Sequence, residues 1–465
     1  MKELDFLFVY EHKVRELENL CLAKYELDRR GYRTEIAYIE DAANALAATP
    51  TMHAKVLCMM ACYNNHTIRW HTKHYATFDK IIDLQWENIV YPKDEEREGA
   101  FKNYKEIGSE VVHVSWGAQN VARLSNAAHI DPKKIKLVGH MGMDFLRAPL
   151  NRYYMSKEDL FKKYDIPMDS RTVFFASPYY GDQLSEEYIA DMCSRFGDNW
   201  TEYYDFMCRS QEIVIGWFEA LCKEDPNLQV IYRPHPGHPS KIAQETAERC
   251  SNFRLIGGES VKQWILACDR VYTGNSSVPV EAFFAQKQCY LVFPMPITEG
   301  FKLQLLDDSE EIHTAAEMKE TIYSDAKECG EHTAVNGDFM AAFCVPRQNI
   351  EGIYRIDWEK PNYVHFADMA EEVLKDPYYA LTKEQIKSID NSTGIQKMIN
   401  LACRIKPLYA IYLKLIDSNL KWGFLEGQRA LRQRAIQNEL DHAHEVTSPE
   451  EIDAIIGRIK AALEG

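Results

Sequence analysis

Gln229-Val230-Ile231-Tyr232 runs into Arg233-Pro234-His235-Pro236-Gly237-His238-Pro239. Further on, Arg270-Val271-Tyr272 runs into Thr273-Gly274-Asn275-Ser276-Ser277. A helix-like segment, Val278 to Ala285, and a third apolar run, Cys289-Tyr290-Leu291-Val292-Phe293, follow. Short β-branched and aromatic runs broken by Pro and Gly read as buried strands, here alternating with helices. In such open α/β sheets the loops at the carboxyl ends of the strands are where ligands bind. Arg233, His235 and His238 share one such loop, and the prolines stiffen the backbone between them. A guanidinium fork grips phosphate oxygens, and an imidazole stabilises or protonates a departing phosphate. In the second loop Gly274 permits close approach, while Asn275, Ser276 and Ser277 bring polar side chains and helix-start N–H groups. Glu281, one turn into the helix, is placed to accept from ribose hydroxyls. Either loop alone reads as well as a stiff turn or an N-cap. Both at successive strand ends of one α/β unit favour an anion site.

Outward toward the N-terminus the same alternation recurs. Asp5 to Tyr10 reads as a buried strand, Lys13 to Arg30 as a helix stopped by Gly31, and Tyr32 to Ile39 as a strand. The first loop lacks Gly-x-Gly-x-x-Gly, so a dinucleotide has no cradle there. It carries Glu11, Lys13, Arg15 and Glu16 instead, groups suited to a polar acceptor or to a solvated helix start. Lys55–Met60 and Lys80–Leu84 are further strands, the latter ending in Gln85-Trp86-Glu87-Asn88. A glutamate just past a strand end beside an indole has the partial burial that raises a carboxyl pKa and suits it to accept a proton. His66, His71 and His74 fit no metal-ligand spacing, and His66 is counted with the acceptor groups. Val111–Ser115 and Ile135–Val138 close the first domain, the latter running into the glycine-bearing turn Gly139–Asp144. Thr172–Ala176 opens the second sheet, and its loop places Ser177 at another strand end. The expected architecture is two facing Rossmann-like α/β domains, 1–150 and 151–300, with a mixed, then mainly helical extension over 301–465. Within that extension helix is expected from Ile312 and a short strand around Tyr354-Arg355-Ile356.

Composition narrows the classes. Of 465 residues 46% are hydrophobic and 27% charged, as in soluble globular proteins, and the net charge of −16 argues against a nucleic-acid partner. No apolar run is long enough to span a bilayer. The 12 cysteines show no Cys-x-x-Cys and sit among apolar neighbours, as reduced core thiols of a cytoplasmic protein do. Residues 401–437 form a basic, amphipathic stretch, with Arg404, Lys406, Lys414, Lys421, Arg429, Arg432 and Arg434 against Asp417 and Glu426. Such a stretch suits an anionic membrane face. Packing on the protein body or on another subunit is the plainer account.

The Arg233-Pro234-His235-Pro236 run, the Ser276-Ser277 loop and Glu281-Ala282 resemble the C-terminal domain of GT-B enzymes that build bacterial surface polysaccharides. These include capsule-type Kdo transferases, polysialyltransferases and teichoic-acid glycerophosphotransferases. The opening, with Glu11, Lys13, Arg15, Glu16 and Gly31, is similar to surface carbohydrate biosynthesis proteins, and the resemblance spans roughly residues 5–295. It implies a metal-independent inverting glycosyltransferase, without a cofactor, at the inner face of the plasma membrane. The donor would be CMP- or CDP-linked and the acceptor a carbohydrate or a lipid-linked group. His235 with Ser276 or Ser277 would contact the nucleotide, joined by Arg233, His238, Ser177, Gly274, Asn275 and Glu281. In the polysialyltransferases the general base lies in an acidic-acidic-Gly motif of the N-terminal domain; at the comparable position here Gln85-Trp86-Glu87-Asn88 keeps only Glu87. A polyol-phosphate transferase, a UDP-N-acetylglucosamine 2-epimerase on the same fold, and a non-catalytic assembly protein are the alternatives.

Overall fold

A computed structural model describes residues 1–41, 50–72, 75–86, 89, 104–127, 130–179, 184–235, 240–324, 344–389, 405–418 and 420–465. They form two compact units. One gathers the described residues of 1–142, apart from Ile89, together with 355–464; the other is built on 143–354. The chain thus passes from the first unit to the second at 142/143, whereas the composition placed that passage near 150. The residues expected as one extension are divided between the units at 354/355.

The first unit holds strands β1 (Lys2–Tyr10), β2 (Thr34–Tyr38), β3 (Met52–Met59), β4 (Ala76–Asp83), β5 (Val112–Ser115) and β6 (Ile135–Leu137) in the order β2-β1-β3-β4-β5-β6. Every pairing is parallel. A parallel sheet needs a crossover at each return, so helices cover its faces and the central parts of its strands are largely apolar. Phe6 to Tyr10 and Val56 to Met59 are accordingly buried side by side, with Val9 opposite Met59. The helix Lys13–Arg29 closes at Gly31, whose φ of +89° is a conformation glycine adopts without cost.

The second unit holds β7 (Arg171–Ala176), β8 (Leu228–Arg233), β9 (Phe253–Leu255), β10 (Arg270–Thr273), β11 (Cys289–Val292) and β12 (Glu311–Ile312) in the order β12-β11-β10-β7-β8-β9, again all parallel. Edge strands β9 and β12 went unrecognised in the sequence because they are only three and two residues long and carry Arg254 and Glu311. Two expectations change with them. The loops after β8 and β10 do not follow successive strands, since β9 intervenes in sequence and β7 in space. The helix expected from Ile312 starts at Ala315, set by a capping box of Thr314 and Glu317. Tyr354-Arg355-Ile356 joins no sheet; Tyr354 ends the helix Arg347–Ile353 and the Arg355 amide donates to the Trp116 carbonyl.

Helices Asn362–Lys375, Lys383–Ile389, Lys406–Ile416, Gly423–Asp441 and Pro449–Glu464 complete the first unit. The ten cysteines among the described residues are free thiols, and no helix among those residues is long and apolar enough to cross a membrane. Helix Asn362–Lys375 is anchored by a buried cation. Lys80 on β4 donates from Nζ to the carbonyls of Val373, Leu374 and Asp376 at 2.7, 2.7 and 2.9 Å, closing the carbonyl end of that helix. Lys80→Met keeps the bulk and strands those carbonyls, so we expect a loss of ~2–3 kcal/mol. It should appear as a lowered urea midpoint with faster amide exchange in Asn362–Lys375.

Candidate functional site

In the second sheet the chain runs from β7 outward to β9, then crosses back to β10 and runs outward the other way. The order reverses between β7 and β10, and the crevice past their carboxyl ends is the ligand position of a doubly wound sheet. Ser177 follows β7 there, and Gly274 to Ser277 follow β10. Arg233 ends β8, the neighbour of β7 on its other side, with His235 two residues beyond.

Gly274 has a steric reason. A Cβ on it would lie 3.0 Å from Pro178 Cγ and 3.4 Å from the Tyr179 hydroxyl, so glycine lets the two loops close on each other. Ser177 is buried and accepts from the Tyr232 hydroxyl at 2.9 Å and from the Tyr179 amide at 3.2 Å. Tyr232 accepts in turn from Gln211 Nε2 at 3.3 Å, and Ser240 donates to Gln211 Oε1 at 3.1 Å. This buried chain ties the β7 loop to Ser240, the N-cap of helix Lys241–Arg249. Phe175 and Tyr232 stack beneath it at 5.4 Å. Tyr179 is buried, and its hydroxyl has no partner among the described residues.

Arg233 is the charged centre of the site. It is buried; Nη2 donates to the Glu259 carbonyl at 3.2 Å, and Nε has no partner among the described residues. Burial pulls its pKa down, and the Glu281 carboxylate works against that. Glu281 sits partly exposed in helix Val278–Phe284, and burial of its carboxyl raises the pKa, opposed by Lys262 and Arg233. A guanidinium so desolvated keeps its charge and gains from an incoming anion.

Not every expected group is available. The Asn275 amide donates to the Phe301 carbonyl at 2.7 Å and accepts from the Leu303 amide at 3.0 Å, so its side chain holds the 301–303 segment and only its backbone remains for a ligand. Ser276 Oγ accepts from the Val278 amide at 3.3 Å, and Ser277 makes no side-chain cap. His235 is partly exposed. His238 and Glu87 lie outside the described residues.

In the first sheet the order reverses between β1 and β3. Glu11 and Lys13 follow β1 and His66 opens the helix after β3, which places these expected acceptor groups on the two sides of that reversal. Several are committed internally. Glu16 is fully buried, accepting from the Glu11 amide at 2.9 Å and from Arg15 Nη2 at 2.9 Å; burial raises its pKa, with Arg15 opposing. Lys13 donates to the Val446 carbonyl at 3.2 Å and to Glu451 at 2.7 Å. His66 is exposed. Near Gln85 the buried Asp83 accepts from Gln85 Nε2 at 2.6 Å and pairs with His113 Nδ1 at 3.1 Å. That network holds the strand end in a turn with Gln85 at φ +54°. Tyr179, Tyr232, Gln211, Ser240 and Lys262 were not anticipated from the sequence. The one signal for them was the run Ser177-Pro178-Tyr179 after a strand.

The raised pKa of Glu281 sets a test with a definite sign. Its charged form is disfavoured in the folded chain, so its contribution to stability falls as pH rises from the ordinary carboxyl range toward the raised value. Glu281→Gln removes that loss. Thermal melts should show the variant at least as stable as the native chain at pH 7.5, with the gap closing as pH falls toward 4.

Neither a protein-family model nor a curated protein matches the chain. Among solved structures it is similar to the wall teichoic acid polymerase TagF, at 12% identity over 80% of this chain and 88% of that one, with a TM-score of 0.50. It is also similar to a glycosyltransferase from Rickettsia africae ESF-5 (13% identity, 81% and 99% covered, TM-score 0.40). A third is S. aureus MnaA with UDP (12% identity, 90% and 99% covered, TM-score 0.40). The likeness to TagF establishes the fold: two α/β units with parallel sheets, of the GT-B type.

Proposed function

We propose that the chain is a metal-independent, inverting GT-B transferase that uses a nucleotide-linked donor, CMP- or CDP-linked by its resemblance, in the synthesis of a bacterial surface polysaccharide. The observation that carries this reading is Arg233: a buried cation with an unpartnered Nε at the carboxyl end of β8, beside the reversal point of the second sheet. The donor's phosphate supplies the missing anion. Ser177, Tyr179 and the Gly274–Ser277 backbone bind its oxygens, and Glu281 takes ribose hydroxyls. An acceptor hydroxyl attacks the donor carbon and Glu87 accepts its proton. The bond from that carbon to the phosphate oxygen breaks, and the electron pair leaves on the nucleotide held by Arg233 and His235. Transfer of a polyol phosphate would use the same donor site, with attack at phosphorus.

CDP or CMP should raise the melting temperature by several degrees, and Arg233→Met should remove the effect. His235→Ala should lower transfer by about two orders of magnitude or more while leaving the unliganded melting temperature unchanged. Stabilisation by neither nucleotide, or full activity of His235→Ala, would refute the assignment.

For the acceptor side we propose that residues 405–422 rest on an anionic membrane surface. Leu408, Ile411 and Leu415 repeat at i, i+3 and i+7 on helix Lys406–Ile416 and are exposed, as are Leu420 and Trp422 beyond it. Apolar groups left in water here outweigh packing on the body of the unit. The cations are fewer than the sequence count implies. Arg429 donates to the carbonyls of Ile416, Ser418 and Leu420, and Arg432 pairs with Asp417, whereas Lys414 and Lys421 are exposed in the same segment as the apolar stripe. The full chain should sediment with phosphatidylglycerol-containing vesicles and weakly with phosphatidylcholine alone. Ile411→Ser with Trp422→Ser should cut binding about tenfold or more; unaltered sedimentation would refute the contact.

A further inference from the structure

Asp83 ends β4 and stands in parallel register with His113 of β5, and both side chains are fully buried. His113 Nδ1 lies 3.1 Å from Asp83 Oδ2, and Nε2 lies 2.9 Å from the Gly108 carbonyl oxygen. A carbonyl has no proton to give, so the proton of the Nε2 contact is the ring's own. Asp83 is surrounded by donors: Oδ1 accepts from the Gln85 amide at 3.1 Å and Oδ2 from Gln85 Nε2 at 2.6 Å. Gln85 Nε2 also lies 3.4 Å from His113 Nδ1. Its two hydrogens go to the nearer oxygens, Asp83 Oδ2 and the Tyr104 hydroxyl, and none is left for Nδ1. Two lone pairs at 3.1 Å would repel, which puts a second ring proton between Nδ1 and the carboxylate.

The surroundings call for the same charge. Among the described residues His113 is the one basic group in ion-pair contact with Asp83. Cys62, after β3, and Tyr104, ahead of β5, face the pair as neutral groups, since burial raises both pKa values and the Asp83 charge adds to the rise. The Tyr104 ring meets the imidazole edge-to-face at 4.8 Å. A carboxylate so enclosed is costly unless a cation answers it.

The pair sits where three parts of the sheet edge meet. Through Gln85 it holds the turn after β4, with φ +54°, in which the Trp86 amide donates to the Met60 carbonyl at 3.3 Å. Through Nε2 it holds Gly108, where a Cβ would stand 2.2 Å from the Tyr63 carbonyl oxygen. The segment around Gly108 is tied in turn to the loop after β3. The Lys105 amide donates to the Tyr63 carbonyl at 2.9 Å, and the Asn65 amide donates to Glu106 at 3.0 Å.

We propose that His113 is an imidazolium, and that its buried charge pair with Asp83 is the positioning device that fixes the turn at Trp86, next in sequence to Glu87. That this turn serves proton acceptance at Glu87 rests on the transferase reading; the charge pair and its hold on Trp86 do not.

The test uses the full chain carrying isotopically labelled histidine and 5-fluorotryptophan, followed by magnetic resonance at pH 7.5. The His113 ring is assigned by its contacts with the Tyr104 ring protons, and the Trp86 fluorine by its loss in Trp86→Phe. Both His113 nitrogens should carry protons; one bare ring nitrogen would overturn the proposal. Asp83→Asn keeps the shape and removes the charge, so His113 should drop to one ring proton and the Trp86 signal should move. The signals of Trp200 and Trp264, in the second unit, should stay in place. Gln85→Asn shortens the arm in a residue type that accepts the left-handed φ, and it should move Trp86 while His113 keeps both protons. A Trp86 signal unmoved in both variants would overturn the positioning role. In a transfer assay Asp83→Asn should lower kcat about tenfold or more with the donor KM unchanged. A doubly protonated ring in a chain that transfers nothing would keep this inference and fail the transferase reading. A bare ring nitrogen in an active transferase would fail this inference alone.

Discussion

Parallel strand pairing is the constraint on which the rest depends. Each return to a parallel sheet must cross over one face, so every strand is walled by helices and all strands of a sheet point the same way. The loops that leave their carboxyl ends are then brought together however far apart they lie in the chain. Ser177 and Gly274 become neighbours of one crevice because β7 pairs with β10, although the chain builds β8 and β9 between them. In the first sheet the same rule gathers Trp86, Trp116 and His140.

The two sheet edges carry different chemistry. In the second unit the edge is organised by a cation, Arg233, which the fold holds away from water with one carbonyl partner, and by hydroxyls locked in the Ser177–Tyr232–Gln211–Ser240 chain. In the first unit the charged residues of the opening loop satisfy one another: Glu16 takes the Glu11 amide and Arg15, and Lys13 turns to the chain's closing segment. The buried side-chain atoms of that unit with no partner among the described residues include the amide oxygens of Asn19, Asn120 and Asn362.

Much of the fold was legible because its long strands are unambiguous. Apolar runs such as Phe6–Tyr10, Val56–Met59 and Phe174–Ala176 can be buried only in a sheet covered on both faces, and Gly31 and the prolines mark where elements stop. Edge strands were illegible, because β9 and β12 are too short to show a period and Arg254 and Glu311 interrupt their apolar character. The late helices could be read as helices but not assigned to a unit. Their return to the first sheet is decided by contacts such as Lys80 on the carbonyl end of Asn362–Lys375, and nothing local encodes those.

The candidate site divides in the same way. By itself the sequence determined that Arg233, His235, Ser177 and the Gly274–Ser277 run stand at strand ends, since strand and loop are local properties of pattern and of Pro and Gly. Only the tertiary structure decided which of those groups are still free to act. Asn275 is spent on the 301–303 segment, Lys13 on Glu451 and Arg429 on three carbonyls, whereas Arg233 Nε and the side-chain oxygens of Asn19 and Asn362 have no partner among the described residues. A side chain's type is written in the sequence. Whether its hydrogen bonds are already used depends on neighbours brought in from distant parts of the chain.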